Sequence, residues 1–476
     1  MNNLEQVCAA AKARLAPTIQ ERTIVESTAE EIRRAVEIEC RKAGLPPDVR
    51  IEGSVAKNTW IRNYADIDIF MLVSPELTKE QLSRICLPIA RRALSKHRII
   101  ERYAEHPYIE AFLKKNGKEL RVNIVPCYHV EPGNWLSATD RSPYHSQYVQ
   151  EHLDKTKLDE VCLLKGFLRG INAYGADIKT GGFSGMLAET LVIGFGGFLN
   201  VIRNLSEWNE GKYLDVENYY ANRTEEVRKI FTEPLIVIDP VDKGRNLGAA
   251  VHAEQLWNFV AASRYFLRKP FGRFFTQPII KPLTRSEYEK RVKSRGSSIV
   301  GISFGEVNAV VDILWSQLYR TQRALSSFLA NHDFNLIRSV AWSNEHEMNI
   351  ILFELETSNL PNSKKHEGPP VNRIKESTAF ISKHSNDCNT ISGPWIEKHR
   401  WVVQKRRPNA NVERLLKSAI GSEASKIGVA SLFSRNLKSK TRIINQRTIA
   451  PLLSDKEFSR FMRIFLSGRP IWNAPE

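Results

Sequence analysis

Asp66-Ile67-Asp68 stands inside the apolar run ADIDIFMLV, and Gly53-Ser54 precedes it, with Asp66 twelve residues after the serine. On a β-strand, residues i and i+2 point to one face, so the two carboxylates converge while Ile67 and Ile69 pack behind them. Two carboxylates on one strand face suit Mg²⁺, which takes hard oxygen ligands and keeps its remaining positions for waters and substrate phosphates. Glycine at 53 lets backbone N–H groups approach a triphosphate, and the Ser54 hydroxyl can donate to one of its oxygens. A DxD alone also describes a solvated strand face. Three features lift it above that here: Gly-Ser at this spacing, the apolar strand, and a third polar position on a nearby strand, Asn123 in ELRVNIVPCYHV.

The elements that must position these residues follow from periodicity. Residues 3 to 43 have helical spacing broken at Pro17, with Thr28-Ala-Glu-Glu expected to open an amphipathic stretch that ends near Gly44-Leu-Pro-Pro. Short β-like runs follow, RIEGSV, DIDIFMLV, YIEAFL and LRVNIVPCY, with a helix around 79 to 96, which makes a mixed α/β domain. YIEAFLKKNGKELRVNIV reads as a hairpin turning on Asn116-Gly117, the preferred type I′ pair, a register that sets Asn123 directly across from Glu110. Residues 151 to 265 read as mostly helical. SIVGISF then reads as a strand, VNAVVDILWSQLYRTQRALSSFLANH as a helix, and NLIRSVAW and MNIILFELE as strands, a β-α-β-β order that suits a ferredoxin-like sheet.

With 476 residues the chain can bury several cores. Its 69 Lys and Arg against 53 Asp and Glu give a formal charge of +16, the balance of a protein that neutralises phosphates. Residues 401 to 476 hold 15 basic and 5 acidic residues, so a polyanion grip is expected to involve that end. Six scattered cysteines without a CxxC pair argue against a zinc ribbon or a disulfide framework and for a reducing cytosol. No apolar run approaches the roughly 20 residues of a membrane span, and the first residues lack an apolar signal core, so a soluble, cytoplasmic protein is expected.

The DxD pattern resembles the nucleotidyltransferase superfamily of DNA polymerase beta, and the flanks narrow the likeness. GSVAKNTWIRNYADIDIF, EHPYIEAF, NIVPCY, LLKGFLRGINAYGADIKTGGFSGMLAE and DPVDKGRNLGAAV resemble the class I, archaeal-type CCA-adding enzymes, as do LIRSVAW, KKHEGPPV and GPWIEKHRWVVQKRR further on. The likeness implies an α+β multidomain chain: a nucleotidyltransferase head over 1–140, a helical neck over 141–265, a ferredoxin-like α/β body and tail over 266–415, and a basic extension over 416–476. It implies addition of C, C and A to the tRNA 3′ end from CTP and ATP with release of diphosphate, with Mg²⁺ as cofactor. Its partners would be tRNA, ATP and CTP, with no membrane, and a homodimer is among the states open to it. By position Asp66, Asp68 and Asn123 would hold metal, Gly53, Ser54 and Lys57 would line the triphosphate, His145, Lys165 and Tyr174 would contact phosphate and sugar, and Arg245 would read the incoming base. Lysine and histidine can balance a triphosphate's charge, and an arginine fork can meet acceptors on either cytosine or adenine.

Cys127 has no His/Asp partner set in sequence and is expected to pack, and His366 is expected in a loop or a tail contact with tRNA rather than on a metal. WIEKHRWVVQKRR could grip an acceptor arm by phosphate contact and stacking.

Asn123 is the departure from pattern, because the family carries an aspartate there. Its amide oxygen can ligate but has no charge, and losing one unit charge beside a divalent ion forfeits about 8 kcal/mol at an effective dielectric near 20, before relaxation. The hairpin register offers Glu110 as a replacement charge. The alternatives left open are another RNA-terminal nucleotidyltransferase, such as a poly(A)-type enzyme, and a tRNA-binding relative inactivated at Asn123.

Overall fold

The computed structural model describes residues 3–103, 107–221, 223–277, 279–421, 424–436 and 441–473. The chain divides into two compact units, Met1–Ile279 with Arg469–Glu476, and Ile280–Gly468.

In the first unit, helix Asn3–Leu15 stops before Pro17, and helix Ile19–Lys42 starts on a capping box in which Thr18 and Glu21 satisfy each other's backbone N–H. This helix therefore opens ahead of the expected Thr28. The two Thr-x-x-Glu patterns are equivalent, and the one that follows the proline break takes the cap while Thr28 joins the buried stripe with Val25, Ile32 and Val36. Five strands come next: β1 Val49–Glu52, β2 Asp66–Val73, β3 Arg98–Tyr103, β4 Pro107–Lys115 and β5 Lys118–Tyr128, in the sheet order β1-β2-β5-β4-β3. β2 and β5 are parallel and the other neighbours antiparallel. Ile67, Ile69, Val122, Ile124, Ile109 and Ala111 face the core that includes helices Ile19–Lys42 and Lys79–Ala93. The period-two alternation turns Asp68 and Asn123 to the opposite face. The hairpin forms in the expected register, with Lys115 opposite Lys118 and Glu110 opposite Asn123, and Asn116 and Gly117 at φ 50° and 76° as a type I′ turn requires. β3, from RIIERY, was not anticipated.

The helices Ser142–His152, Lys155–Gly170, Gly185–Phe195, Phe198–Ser206 and Ala253–Arg268 carry an aromatic core in which Phe167 contacts Phe198, Phe259, Phe266 and Phe274. The stretch expected to be helical also contains a small sheet of β6 Tyr213–Leu214, β7 Ile236–Asp239 and β8 Asp242–Asn246, where Pro240-Val241 forces a tight reversal. No single described helix is long and apolar enough to cross a membrane.

The second unit contains β9 Ser298–Phe304, β10 Leu336–Ser343, β11 Asn349–Leu355, β12 Ser363–Pro370, β13 Thr390–Glu397, β14 Arg400–Arg406 and β15 Arg442–Asn445. β10-β11-β9-β15 form one antiparallel sheet, and with helices Val311–Asn331 and Val412–Ile420 they give the β-α-β-β-α-β arrangement of a ferredoxin-like fold. β12, β14 and β13 form a second sheet, inserted with helix Ile374–Ser385 ahead of helix Val412–Ile420. The boundary expected at 415/416 falls inside that last helix, and Arg442–Asn445 of the basic end supplies the body's fourth strand. Residues 437–440 of that end lie outside the described residues, as do Glu105 and His106 of EHPYIEAF.

Candidate active site

Strand order brings four polar positions into a row across one sheet face: Glu52 on β1 pairs with Asp68 on β2, Asp68 with Asn123 on β5, and Asn123 with Glu110 on β4. Asn123 Nδ2 donates to Asp68 Oδ1 at 2.9 Å, and Asn123 Oδ1 is buried without a hydrogen-bond partner. Asp66, at the rim, accepts from Arg121 Nε at 2.7 Å. Gly53 sits where β1 turns into the short helix Gly53–Ala56, at φ 70°, and a Cβ there would lie 2.2 Å from Asp68 Oδ2. Both the backbone angle and the close approach require glycine. Burial pushes the Asp68 carboxyl up to about 6, with the charge of Asp66 adding and the Asn123 hydrogen bond opposing.

Glu110 occupies its expected place opposite Asn123, but its carboxylate is engaged: Arg102 Nε donates to it at 2.7 Å and Arg121 Nη1 lies 3.5 Å away. Glu52, which sequence reading passed over, is 3% exposed, and its Oε2 has no hydrogen-bond partner. Burial pushes its carboxyl up to about 7, against the pull of Ser146, Arg50 and Lys57 and with the charge of Asp68 adding.

A cavity of about 360 Å³ opens above this row, and its walls include Gly53, Lys57, Asp68, Asn123, His145 and Ser146. The remaining site residues join it through two carboxylates that were not foreseen. The first is Glu189, fully buried, whose Oε2 accepts from Lys57 Nζ at 2.6 Å and whose Oε1 accepts from Lys165 Nζ at 2.8 Å and from the Thr59 hydroxyl at 2.5 Å. Burial alone would raise Glu189, but the two lysines hold it down at about 2, and Glu189 in turn holds the buried Lys165 above the usual lysine range. The second is Asp239, 2.9 Å from His145 Nε2 and accepting from Arg245 Nη1 at 2.7 Å. It is fully buried, yet held below the usual carboxylate range by His145 first and then by the Val241 N–H and Arg245.

Tyr174 is raised by burial, and its hydroxyl converges with the Lys165 ammonium at the start of helix Gly185–Phe195, where a Cβ on Gly185 would lie 3.3 Å from the first and 3.6 Å from the second. Ser54 lies in the turn after Gly53, and its carbonyl accepts from the Thr59 N–H at 3.0 Å. Glu189 and Asp239 both stand inside the strings MLAET and DPVDKGRN, but local periodicity carries no sign that they would pair with residues far off in sequence.

Cys127 is sealed in the fold with its thiol pushed far up by burial, which leaves it inert as a nucleophile. His366 lies on β12 rather than in a loop, its ring 5.7 Å from that of His384. Among the described residues no three His, Cys, Asp or Glu side chains converge as a ready metal site. In the second unit WIEKHRWVVQKRR forms the β13–β14 hairpin, with Trp395 37% and Ile396 54% exposed.

Three family models match the chain in succession: a nucleotidyltransferase domain over residues 32–145, a tRNA nucleotidyltransferase second domain over 159–276, and a CCA-adding enzyme C-terminal domain over 295–445. The CCA-adding enzyme of Methanosarcina acetivorans is 34% identical over 418 residues, covering 86% of this chain and 89% of its own length. That of Methanopyrus kandleri is 31% identical over 486 residues, covering 98% of each.

Proposed function

As a member of the CCA-adding enzyme family, this chain is a tRNA nucleotidyltransferase that adds C, C and A to the tRNA 3′ end from CTP and ATP, and we propose that Asp66, Asp68 and Asn123 hold its divalent metal, with Mg²⁺ as the ion. The observation that carries the assignment is the Asp68–Asn123 pair on parallel neighbouring strands, beside a glycine whose Cβ would fill the space at Asp68 Oδ2. The donor set fits such an ion: all its atoms are hard oxygens, and Asn123 Oδ1 is a buried acceptor still without a partner. When bound, a divalent cation supplies charge stabilisation for the triphosphate and activation of the attacking 3′-hydroxyl.

The chain's own residues do the rest. Gly53 and Ser54 present the backbone and hydroxyl at the turn where the triphosphate lies. Lys57 and Lys165 share one carboxylate, so the pair keeps a surplus positive charge that a triphosphate can balance. Tyr174 and His145 contact sugar and phosphate from the neck side, and Asp239 orients both His145 and the half-exposed Arg245 fork that reads the base. The neck, 141–265, thus binds nucleotide, while the body and tail, together with the basic C-terminal end that completes the body sheet, grip the acceptor arm. We place the protein in the cytoplasm, away from any membrane, with a homodimer as the oligomeric state to test first.

Incubation with tRNA lacking its CCA end, labelled CTP or ATP, and Mg²⁺ tests the function directly. Ordered incorporation that stops after CCA is expected. A chain that binds tRNA and nucleotide yet incorporates nothing at any Mg²⁺ or Mn²⁺ concentration would be the inactive relative that Asn123 allows.

A further inference from the structure

We infer that Glu52 supplies the negative charge that Asn123 lacks, as an additional oxygen ligand of the divalent cation held at Asp68. The inference rests on the metal-site assignment proposed above and carries it one residue further.

Asp68 has two cross-strand neighbours on its sheet face, and they are Asn123 on β5 and Glu52 on β1. Cross-strand partners stand with Cβ atoms roughly 4.5–5.5 Å apart, within reach of a glutamate side chain. Asp66 already belongs to the proposed ligand set, and the other acid on this face, Glu110, is engaged by Arg102 and Arg121. Glu52 is 3% exposed with a buried Oε2 that has no hydrogen-bond partner, and it lies beside Ser146 of the cavity wall. A buried carboxylate oxygen without a partner is costly, and a cation held at Asp68 would satisfy Oε2. The next residue, Gly53, has no Cβ, which keeps Asp68 close to the end of β1. The third charge has moved from β5 to β1, on the other side of the same aspartate.

Mn²⁺ binding to the full chain, followed by electron paramagnetic resonance without nucleotide or tRNA, tests this apart from catalysis. Glu52→Gln is expected to weaken Mn²⁺ binding by about tenfold to a hundredfold, while Glu110→Gln leaves it within about twofold. Asn123→Asp placed in the Glu52→Gln chain should restore the affinity, because it returns the charge to the same cation from the opposite strand. In EDTA the Glu52→Gln chain should melt no lower than wild type, since the buried Oε2 has no hydrogen-bond partner to lose. Unchanged Mn²⁺ affinity in Glu52→Gln, no rescue by Asn123→Asp, or a lower melting temperature in EDTA would each overturn the role of Glu52 while leaving the metal site standing. No Mn²⁺ binding by the wild-type chain would overturn the metal site, and this inference with it.

Discussion

Glu189 shows how one buried charge can organise a site. It accepts from Lys57 of the head and from Lys165 of the neck, so both of these buried lysines are fixed by one carboxylate. Removing it would leave two buried ammonium groups without their anion, and Glu189→Gln is expected to lower stability by about 3–5 kcal/mol in urea melts. The pH dependence has a definite sign. A carboxylate ordinarily near 4.5 and held at about 2 in the fold contributes stability that is complete above the ordinary value and is lost as pH falls from there toward about 2. Wild type should therefore lose roughly 3 kcal/mol over that acid range from this group, and the Glu189→Gln chain should lack this part of the acid limb.

At the scale of elements, the site is the product of two turns and one strand order. The Asn116-Gly117 turn sets the register that puts Asn123 beside Glu110, and it was legible because type I′ turns carry a sequence signature and strands alternate with period two. The β1 turn at Gly53 is a stricter constraint. Gly53→Ala would force a left-handed residue with a Cβ, costing about 1–2 kcal/mol of stability, and would also displace Asp68. The expected result is a folded chain by circular dichroism whose CCA addition is about a hundredfold slower or worse, because a shift near 1 Å in a reacting group has that order of effect. Retained activity would mean that the Asp68 carboxylate relaxes without consequence. What could not be read locally was that β1 lies against the other edge of β2, which is why Glu52 was missed, and that β6–β8 stand within a helical stretch to carry Asp239 and Arg245.

For the whole molecule, the formal charge of +16 predicts tRNA binding dominated by phosphate contacts. If about six phosphates are neutralised, affinity for tRNA should fall roughly 10³-fold between 50 and 200 mM salt, as filter binding would measure. A flat salt response would place recognition elsewhere, on exposed aromatics such as Trp395. The sequence by itself determined the class of chemistry, the sheet face that carries Asp68 and Asn123, the register of the hairpin and the basic character of the chain, because each depends on neighbours a few residues apart or on composition. Only the tertiary structure decided that residues 442–445 complete the body sheet, that Glu189 joins Lys57 to Lys165, that Asp239 pairs with Arg245, and that Glu110 is engaged while Glu52 Oε2 has no hydrogen-bond partner. Each of these pairs residues distant along the chain, and such pairings arise from strand order and packing, which local sequence patterns do not encode.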